Sequence, residues 1–455
     1  MTECFHRFLT YYERSKKLSP FIFYKEVCEM TGKKFHRYVV AAFWVSLVFC
    51  IGFSYFYMKW VIPDKLNVVA EEEEQFHFSM PFGVTLSSDS EEVVLSNGSN
   101  IPTDQINLSV NQPFSVYSEN QGSYKIGLKL FGWLQLKDIQ VDVVDTKYAI
   151  PCGTPVGIYL KSDGIMVIGT GDITKKDGMI VEPAFGVLQS GDYIEAFNGT
   201  PLKDKEALVT ELNKNGTSEA VLAVRRGDQE IEVKMTPVEG EDGNPKLGVW
   251  VRDDTQGIGT MTYIDMNGNF GALGHGISDS DTGGVVQIED GALYETSILG
   301  IEKGTFGKPG VMSGVIYYGP GSVLGTIHSN TEEGIFGTVN ERFKQTAKAD
   351  AIPIGYRQDV KKGTAYIRSD VSGVVKDYEI EIQKVDYTTA HKNKGMVIKV
   401  TDPELLAITG GIVQGMSGSP IIQDGKLIGA VTHVFIQDST RGYGIFIENM
   451  LEAAE

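Results

Sequence analysis

Residues 39–58 read VVAAFWVSLVFCIGFSYFYM, an uncharged apolar run with no polar face. About 20 such residues match a hydrocarbon core roughly 30 Å thick, so the pattern predicts one membrane-spanning helix, taken as 38–58. A cleaved signal sequence would have a shorter apolar core near the N-terminus, whereas this run stands behind residues 1–37. Beyond it the hydrophobic period drops from all-round to two. Residues 114–117, 124–136 and 139–144 carry the apolar/polar alternation of half-buried strands, which predicts a small β module over 76–150. Between helix and module, residues 59–75 read as an exposed stalk, because Glu71, Glu72, Glu73 and Glu74 form an unbroken acidic run.

A second change of pattern covers 151–240. A Gly/Pro turn leads into apolar stretches at 157–160 and 165–170, then Ser190-Gly191-Asp192-Tyr193-Ile194 and Asn198-Gly199, a helical stretch at about 204–214, and strands at 219–225 and 229–236. The turn chemistry of Gly191-Asp192 and Asn198-Gly199 fixes two reversals. This order resembles a PDZ domain. The resemblance implies a loop at Val156, Gly157 and Ile158 that binds a peptide's C-terminal carboxylate, and a strand edge at 157–160 that takes up the peptide by β-augmentation.

From 246 to 455 the chain is Gly-rich, with short alternating segments at 259–264, 284–288, 314–318, 322–327, 334–339, 378–385 and 396–400. Such closely spaced turn signals predict a β-barrel or sandwich pair, and the span has room for two small barrels with a cleft between them. The expected fold class is therefore mainly β throughout: one transmembrane helix, a small β module, a PDZ domain and a β-barrel or sandwich pair.

Charge orients the chain. Residues 1–37 hold eight Lys/Arg against four Asp/Glu, with Lys33, Lys34 and Arg37 next to the apolar run, while the whole chain has a net charge of −18. The positive-inside rule then predicts a cytoplasmic N-terminus, with everything after Lys59 outside. A chain this acidic is not expected to bind nucleic acid. Of four cysteines only Cys152 follows the apolar run, so no disulfide can form within the exported part. No clustered His/Cys spacing points to a metal, and no cofactor is expected.

The candidate chemistry centres on Gly415-Met416-Ser417-Gly418-Ser419-Pro420. A serine between glycines on a tight turn, backed by an Asp424-Gly425 hairpin, is a common way to display a nucleophile. The N–H groups of Gly415 and Ser417 could then form an oxyanion hole. Short Gly/Ser turns also occur with no chemistry attached. A serine needs a base. Of His77, His275, His328, His391 and His433, only His275 lies between two glycines, with Asp279 and Asp281 just beyond. His433, on the strand leaving the serine turn, is the main rival. For a third member, Asp402 ends a strand ahead of Ser417, but Asp402-Pro403-Glu404 reads equally well as a helix N-cap. Asp279, Asp281 and Asp438 remain alternatives.

Four motifs together resemble the stage IV sporulation protein B peptidase family. They are Gly271-Ala272-Leu273-Gly274-His275-Gly276-Ile277 with Asp281-Thr282-Gly283; Gly325-Thr326-Ile327 with Gly334-Ile335-Phe336-Gly337; Gly410 to Pro420; and Thr432-His433-Val434-Phe435 with Thr440-Arg441-Gly442-Tyr443-Gly444. The resemblance implies a chymotrypsin-like double barrel with His275 as base, Asp402 as third member and Ser417 as nucleophile. It further implies a serine endopeptidase, regulated by its PDZ domain, that works between forespore and mother cell during sporulation. There it would cleave a membrane-bound regulatory protein of the sigma-K processing complex. It would also cut itself near the anchor at 59–80, in trans where copies self-associate, releasing the catalytic part. Met416 stands where some chymotrypsin-like enzymes have an Asp that captures a new N-terminus, so that route of activation is closed. Two other readings compete. One is a membrane-anchored PDZ scaffold without catalysis, which the intact His275 and serine-turn glycines oppose. The other is an HtrA-like quality-control protease, in which PDZ domains follow the catalytic domain rather than precede it.

Overall fold

The computed structural model describes residues 32–76, 83–90, 92–96, 105–108, 112–346, 350–387 and 392–455. Most of the cytoplasmic segment expected at 1–37, together with His77 and His391, lies outside them. Helix Gly32–Val61 carries the apolar run. Among the described residues it is the one helix long and apolar enough to cross a membrane, and its window is unburied by protein.

The segment predicted to be a stalk is folded. Lys65–Val69 pairs in parallel with Leu134–Val144, and Glu74–Phe76 pairs with Phe114–Tyr117. Two small sheets close on a core of Leu66, Val68, Phe76, Leu86, Val116, Leu128 and Val141, with the Phe76 and Phe114 rings stacked at 5.5 Å. Alternation within 65–69 outweighs the acidic run beside it, and even Glu74 is buried. The described part of the segment expected to be cut is thus an ordered helix end, strand and turn.

The first barrel begins earlier than position 246. The long strands Pro155–Thr170 and Val249–Asp265 pair with each other and, through Ile288–Tyr294, Val323–Thr331, Gly334–Val339 and Asn269–Ala272, close a ring. Val156, Ile158 and Leu160 point into its core with Met261, Phe270, Leu293 and Ile327. Residues 284–287, expected as strand, instead form the approach to Ile288–Tyr294.

The PDZ-like unit is inserted between the two long strands rather than placed ahead of the barrel. Their far halves, 166–170 and 249–252, pair with each other, and Ile165 and Met166 pair with Asp192–Phe197. Helix Lys205–Asn215 covers this sheet over Ile194, Phe197, Leu222 and Val224. It starts where the Asp204 carboxylate accepts the Ala207 N–H at 2.7 Å. This overturns the peptide site expected at Val156, Gly157 and Ile158. Gly157 and Ile158 are paired on both sides, to 257–258 and to 293–294, and Val156 is paired to Gly259 with its side chain in the barrel core, so the stretch is interior strand rather than an open peptide-binding edge.

The second barrel is closed by Gly363–Ser369, Lys376–Val385, Met396–Val400, Asp438–Phe446, Lys426–Phe435 and Pro420–Gln423 around Ile367, Ile380, Ile398, Ile421, Ile428 and Phe446. A bridging sheet joins the barrels: Thr296–Glu302 and Gly310–Ile316 reach across to Val413–Gln414, the strand that delivers the serine turn.

Candidate active site

The serine turn lies against the first barrel. Thr260 donates its N–H to the Ser417 carbonyl at 3.0 Å and its hydroxyl to the Gly415 carbonyl at 2.7 Å, and the Thr262 hydroxyl reaches the Gly418 carbonyl at 2.8 Å. Within the turn Met416 N–H bonds Val413, Gly418 N–H bonds Val431, and Ser419 N–H bonds Met416. The carbonyls of the turn are thereby aimed at the first barrel. Gly418 is needed for this approach: a Cβ there would stand 2.1 Å from the Thr260 carbonyl oxygen and 2.5 Å from the Leu273 nitrogen, at φ +95°. Ser417 donates its hydroxyl to the Thr432 carbonyl at 2.8 Å.

His275 comes from the other side of the same cleft. Its turn is tight: Leu273 holds φ +71°, a left-handed conformation that costs a bulky residue energy, and Gly274 follows at +69° against Ile445 and Thr432 of the second barrel. The ring Nδ1 lies 2.9 Å from the Gly276 carbonyl. That contact fits an N–H on Nδ1, which leaves the Nε2 lone pair as the base. Burial lowers the His275 pKa below its ordinary 6.5, partly opposed by the Gly276 carbonyl. His275, Ser417, Gly415, Thr432 and His433 line one cleft of about 530 Å³ between the barrels.

Asp402 is elsewhere. Its carboxylate caps helix Pro403–Thr409, accepting the N–H groups of Glu404 and Leu405, both at 2.9 Å. Of the two roles its local sequence allowed, the structure shows the cap. Asp279 is buried under the His275 turn. Burial works against its ionisation, but the N–H groups of Thr282 and Asp281 and the Arg252 guanidinium outweigh it and hold the carboxyl below the usual range. Asp281 joins the same guanidinium at 3.0 Å, and Asp438 accepts from Thr440. His328 contacts Thr338 at 3.1 Å and lines a different cavity.

The chain matches the SpoIVB peptidase S55 family over residues 243–451, the stretch that supplies His275, Ser417 and the second barrel. That stretch is similar to SpoIVB-family serine peptidases. Two solved structures also align with the chain. One is the PDZ domain of an SdrC-like protein from Listeria monocytogenes, at 22% identity over 20% of this chain and 90% of that one, with a TM-score of 0.16. The other is the inactive form of a serine-to-alanine mutant of Rv3671c from M. tuberculosis, at 11% identity over 43% and 81%, with a TM-score of 0.23. A comparison with curated proteins gives no match.

The chain has a second groove that its sequence did not disclose. Leu208, Val209 and Leu212 of helix Lys205–Asn215 face the segment 247–251 across a cleft of about 520 Å³, with Trp250 68% exposed at its edge. Residues 249–251 pair with 167–170 on one side and, among the described residues, with no strand on the other, and they line the groove. The available signal was the alternation of Leu247-Gly248-Val249-Trp250-Val251-Arg252 behind the turn Asp242-Gly243-Asn244. Thr260 and Thr262 left no trace in sequence, because their partners lie more than 150 residues away.

Proposed function

We propose that this SpoIVB-family peptidase hydrolyses peptide bonds with Ser417 as nucleophile and His275 as general base, the N–H groups of Gly415 and Ser417 forming the oxyanion hole. The single observation that carries this reading is that the two barrels deliver Ser417 and His275 to one cleft. The hydroxyl rotates from Thr432 toward His275. The Oγ–carbonyl carbon bond forms as the hydroxyl proton passes to Nε2, and the developing oxyanion is met by backbone donors. Cleavage of the C–N bond takes that proton to the leaving amine. Water, deprotonated by the same Nε2, then frees the acyl group. The lowered pKa of His275 keeps the base neutral near pH 7, as general-base catalysis requires.

The physiological reading follows the family. The N-terminus lies in the cytoplasm and the catalytic part between forespore and mother cell, where it cleaves a membrane-bound regulator and so leads to sigma-K activation. The PDZ-like groove at 247–251 takes a protein C-terminus by β-augmentation, in place of the site first expected at 156–158. Regulation through it is supported by the strand Val249–Asp265. That strand edges the groove, binds Asp279 beyond His275 through Arg252, and holds the serine turn through Thr260.

The test compares the wild-type chain and Ser417→Ala in detergent, using a fluorophosphonate probe and a peptide library. Labelling and cleavage in wild type alone are expected. Equal labelling of both would sink the assignment, and a wild-type chain that neither labels nor cleaves would favour the scaffold reading. Titration of C-terminal peptides, followed by Trp250 fluorescence and by cleavage rate, tests the groove.

A further inference from the structure

The longest hairpin of the β module carries an apolar tip. Strands Gly122–Leu130 and Leu134–Val144 close on the pair Leu130 and Leu134, and the turn between them is Phe131-Gly132-Trp133, with the Trp133 N–H on the Leu130 carbonyl at 3.3 Å. Hairpin turns favour Gly, Asn and Asp. Here Phe131 is 62% exposed, Trp133 75% and Leu134 37%. Phe131 also holds φ +55°, a left-handed conformation that costs a bulky residue energy. Large apolar side chains crowded on an exposed tip, one of them strained, mark a contact surface.

The tip lies at the end of the hairpin where the helix Gly32–Val61 leaves its apolar span, which closes at Lys59. Tyr55, Met58 and Ile62, at helical spacing, pack into the core of the module together with Leu130 and Leu136. Lys137 donates to the carbonyls of Ile62 at 2.6 Å and Lys59 at 3.3 Å, and pairs with Asp64 at 2.7 Å. Leu134 is three residues from Lys137, about 10 Å of strand. The chain after the helix, Lys65–Val69, runs beside the opposite half of the same strand, at 140–144. Residues 122–137 hold Lys125, Lys129 and Lys137 and no Asp or Glu, in a chain whose net charge is −18. Anionic headgroups therefore meet no acid on this part of the hairpin.

We propose that the hairpin tip 131–134 is a second membrane contact, with the Phe131 and Trp133 rings seated in the headgroup layer of the leaflet that the helix leaves. The inference rests on residues 36–59 spanning the bilayer. Aromatic side chains favour that layer, and the Trp133 indole offers an apolar body with one N–H donor to it. The occupant is lipid because the tip is continuous with the anchor: Lys137 ties the hairpin to the helix exit, and one core buries Met58 with Leu130. A single helix lets the rest of the chain swivel and tilt, whereas a second contact beside it restrains both. The module passes that restraint to the second barrel, since Lys65 pairs with Glu452 at 3.5 Å and Gln358 donates to the Asn67 carbonyl. The cleft of Ser417 is thereby held at a set height and tilt over the bilayer.

The experiment uses the full wild-type chain in vesicles of phosphatidylcholine and phosphatidylglycerol, three to one. An aryl diazirine dissolved in the bilayer is photolysed with glutathione in the water to scavenge reagent outside it, and the labelled residues are mapped by mass spectrometry. Label at 131–134 as well as within 36–59 is the expected result. Label within 36–59 alone overturns the proposal and leaves the anchor standing, whereas label at neither place removes both. Cross-linking of the tip to a second copy, with no lipid-borne label there, assigns it to self-association and likewise overturns the proposal. A second measurement reads Trp133 by itself, in a chain carrying Trp44→Phe, Trp60→Phe and Trp250→Phe. Lipids brominated near the headgroup end of their chains should quench its emission at least twofold. Free quenching by iodide from the water, with no effect of brominated lipid, overturns the proposal.

Discussion

Gly418 is where the two barrels come closest behind the nucleophile, and Gly418→Ala tests whether that approach sets the site. The new methyl would lie 2.1 Å from the Thr260 carbonyl oxygen and 2.5 and 2.9 Å from the nitrogen and Cα of Leu273, all backbone atoms. Relief to an ordinary 3.4 Å contact requires a retreat of 3.4 − 2.1 = 1.3 Å, and the atoms that must retreat hold Ser417 on one side and lead to His275 on the other. A misplacement of about 1 Å can cost ~100-fold in rate. The substitution also places Ala at φ +95°, a strain of roughly 1–2 kcal/mol. Gly425→Ala supplies the control: its φ is +79° at the tip of the adjacent hairpin, with nothing within 4 Å of the added methyl. The control should therefore lose only the backbone term, about 1–2 kcal/mol, and keep its activity. Denaturant melts and kcat/KM on one peptide, with fluorophosphonate labelling as a count of competent sites, give both quantities. Gly418→Ala should lose at least ~100-fold in kcat/KM and melt earlier than Gly425→Ala. If it works within threefold of wild type and melts no earlier than the control, the claim that this contact positions the site is wrong.

Asp402→Ala removes a helix cap and should cost about 1 kcal/mol with kcat within threefold of wild type, whereas a triad acid would lose several orders of magnitude; urea melts and peptide turnover distinguish the two. The acid limb of kcat/KM should fall below pH 6.5, because the buried His275 stays neutral past its ordinary value. With His433 held near 4 as well, the unfolded chain binds more protons than the folded one between pH 6.5 and about 4, so stability should decline as pH drops through that window in a pH series of melts. Glu74 has the opposite sign: burial, then Asp359, raise it to about 7 against Lys426, so the folded chain holds the extra proton and stability is lost as pH rises from 4.5 through 7. Glu74→Gln should therefore melt later than wild type at pH 8 and alike at pH 4.5. Arg252→Gln should loosen the His275 turn, lowering kcat and raising hydrogen exchange at 277–283 while the serine turn stays protected.

Legibility in the sequence tracked the range of the contacts. Ser417 and His275 could be picked out because the constraint on each is local: a residue with glycines close by on both sides, in turns too tight for side chains. The Asp402 ambiguity was also local, since one tripeptide codes equally for a strand end and for a cap; only the helix Pro403–Thr409 above its carboxylate separates them. Residues 59–75 do not form a stalk because the alternation just before the four glutamates buries Leu66 and Val68, a local pattern too short to outweigh the acidic run in sequence. The placement of the PDZ-like unit failed for a topological reason. Residues 155–161 find their partners at 254–260, about a hundred positions away, and no periodicity within either stretch announces that pairing. The same distance hid Thr260 and Thr262, whose side chains matter only through the turn they meet.

The insertion has a mechanical consequence. Had the PDZ-like unit been strung ahead of the barrel on a linker, occupancy of its groove could reach the active site only through a surface contact. Instead the groove edge at 249–251 and the Ser417 anchor at Thr260 share one strand, about 30 Å apart at the usual rise per residue. On both sides of an irregularity opposite 252–254 that strand is hydrogen-bonded to the same neighbour, Pro155–Thr170, so the two ends share one partner. Between the two ends lies Arg252, tied to the turn that carries His275. On the proposed reading, a peptide that binds the groove more tightly in one strand position than in another would bias nucleophile and base together. Its effect on rate is bounded by that difference in affinity, tenfold for each ~1.4 kcal/mol. On that reading a modest preference would be enough to switch the site, because turns strained at Leu273 and packed without clearance at Gly418 do not deform by degrees.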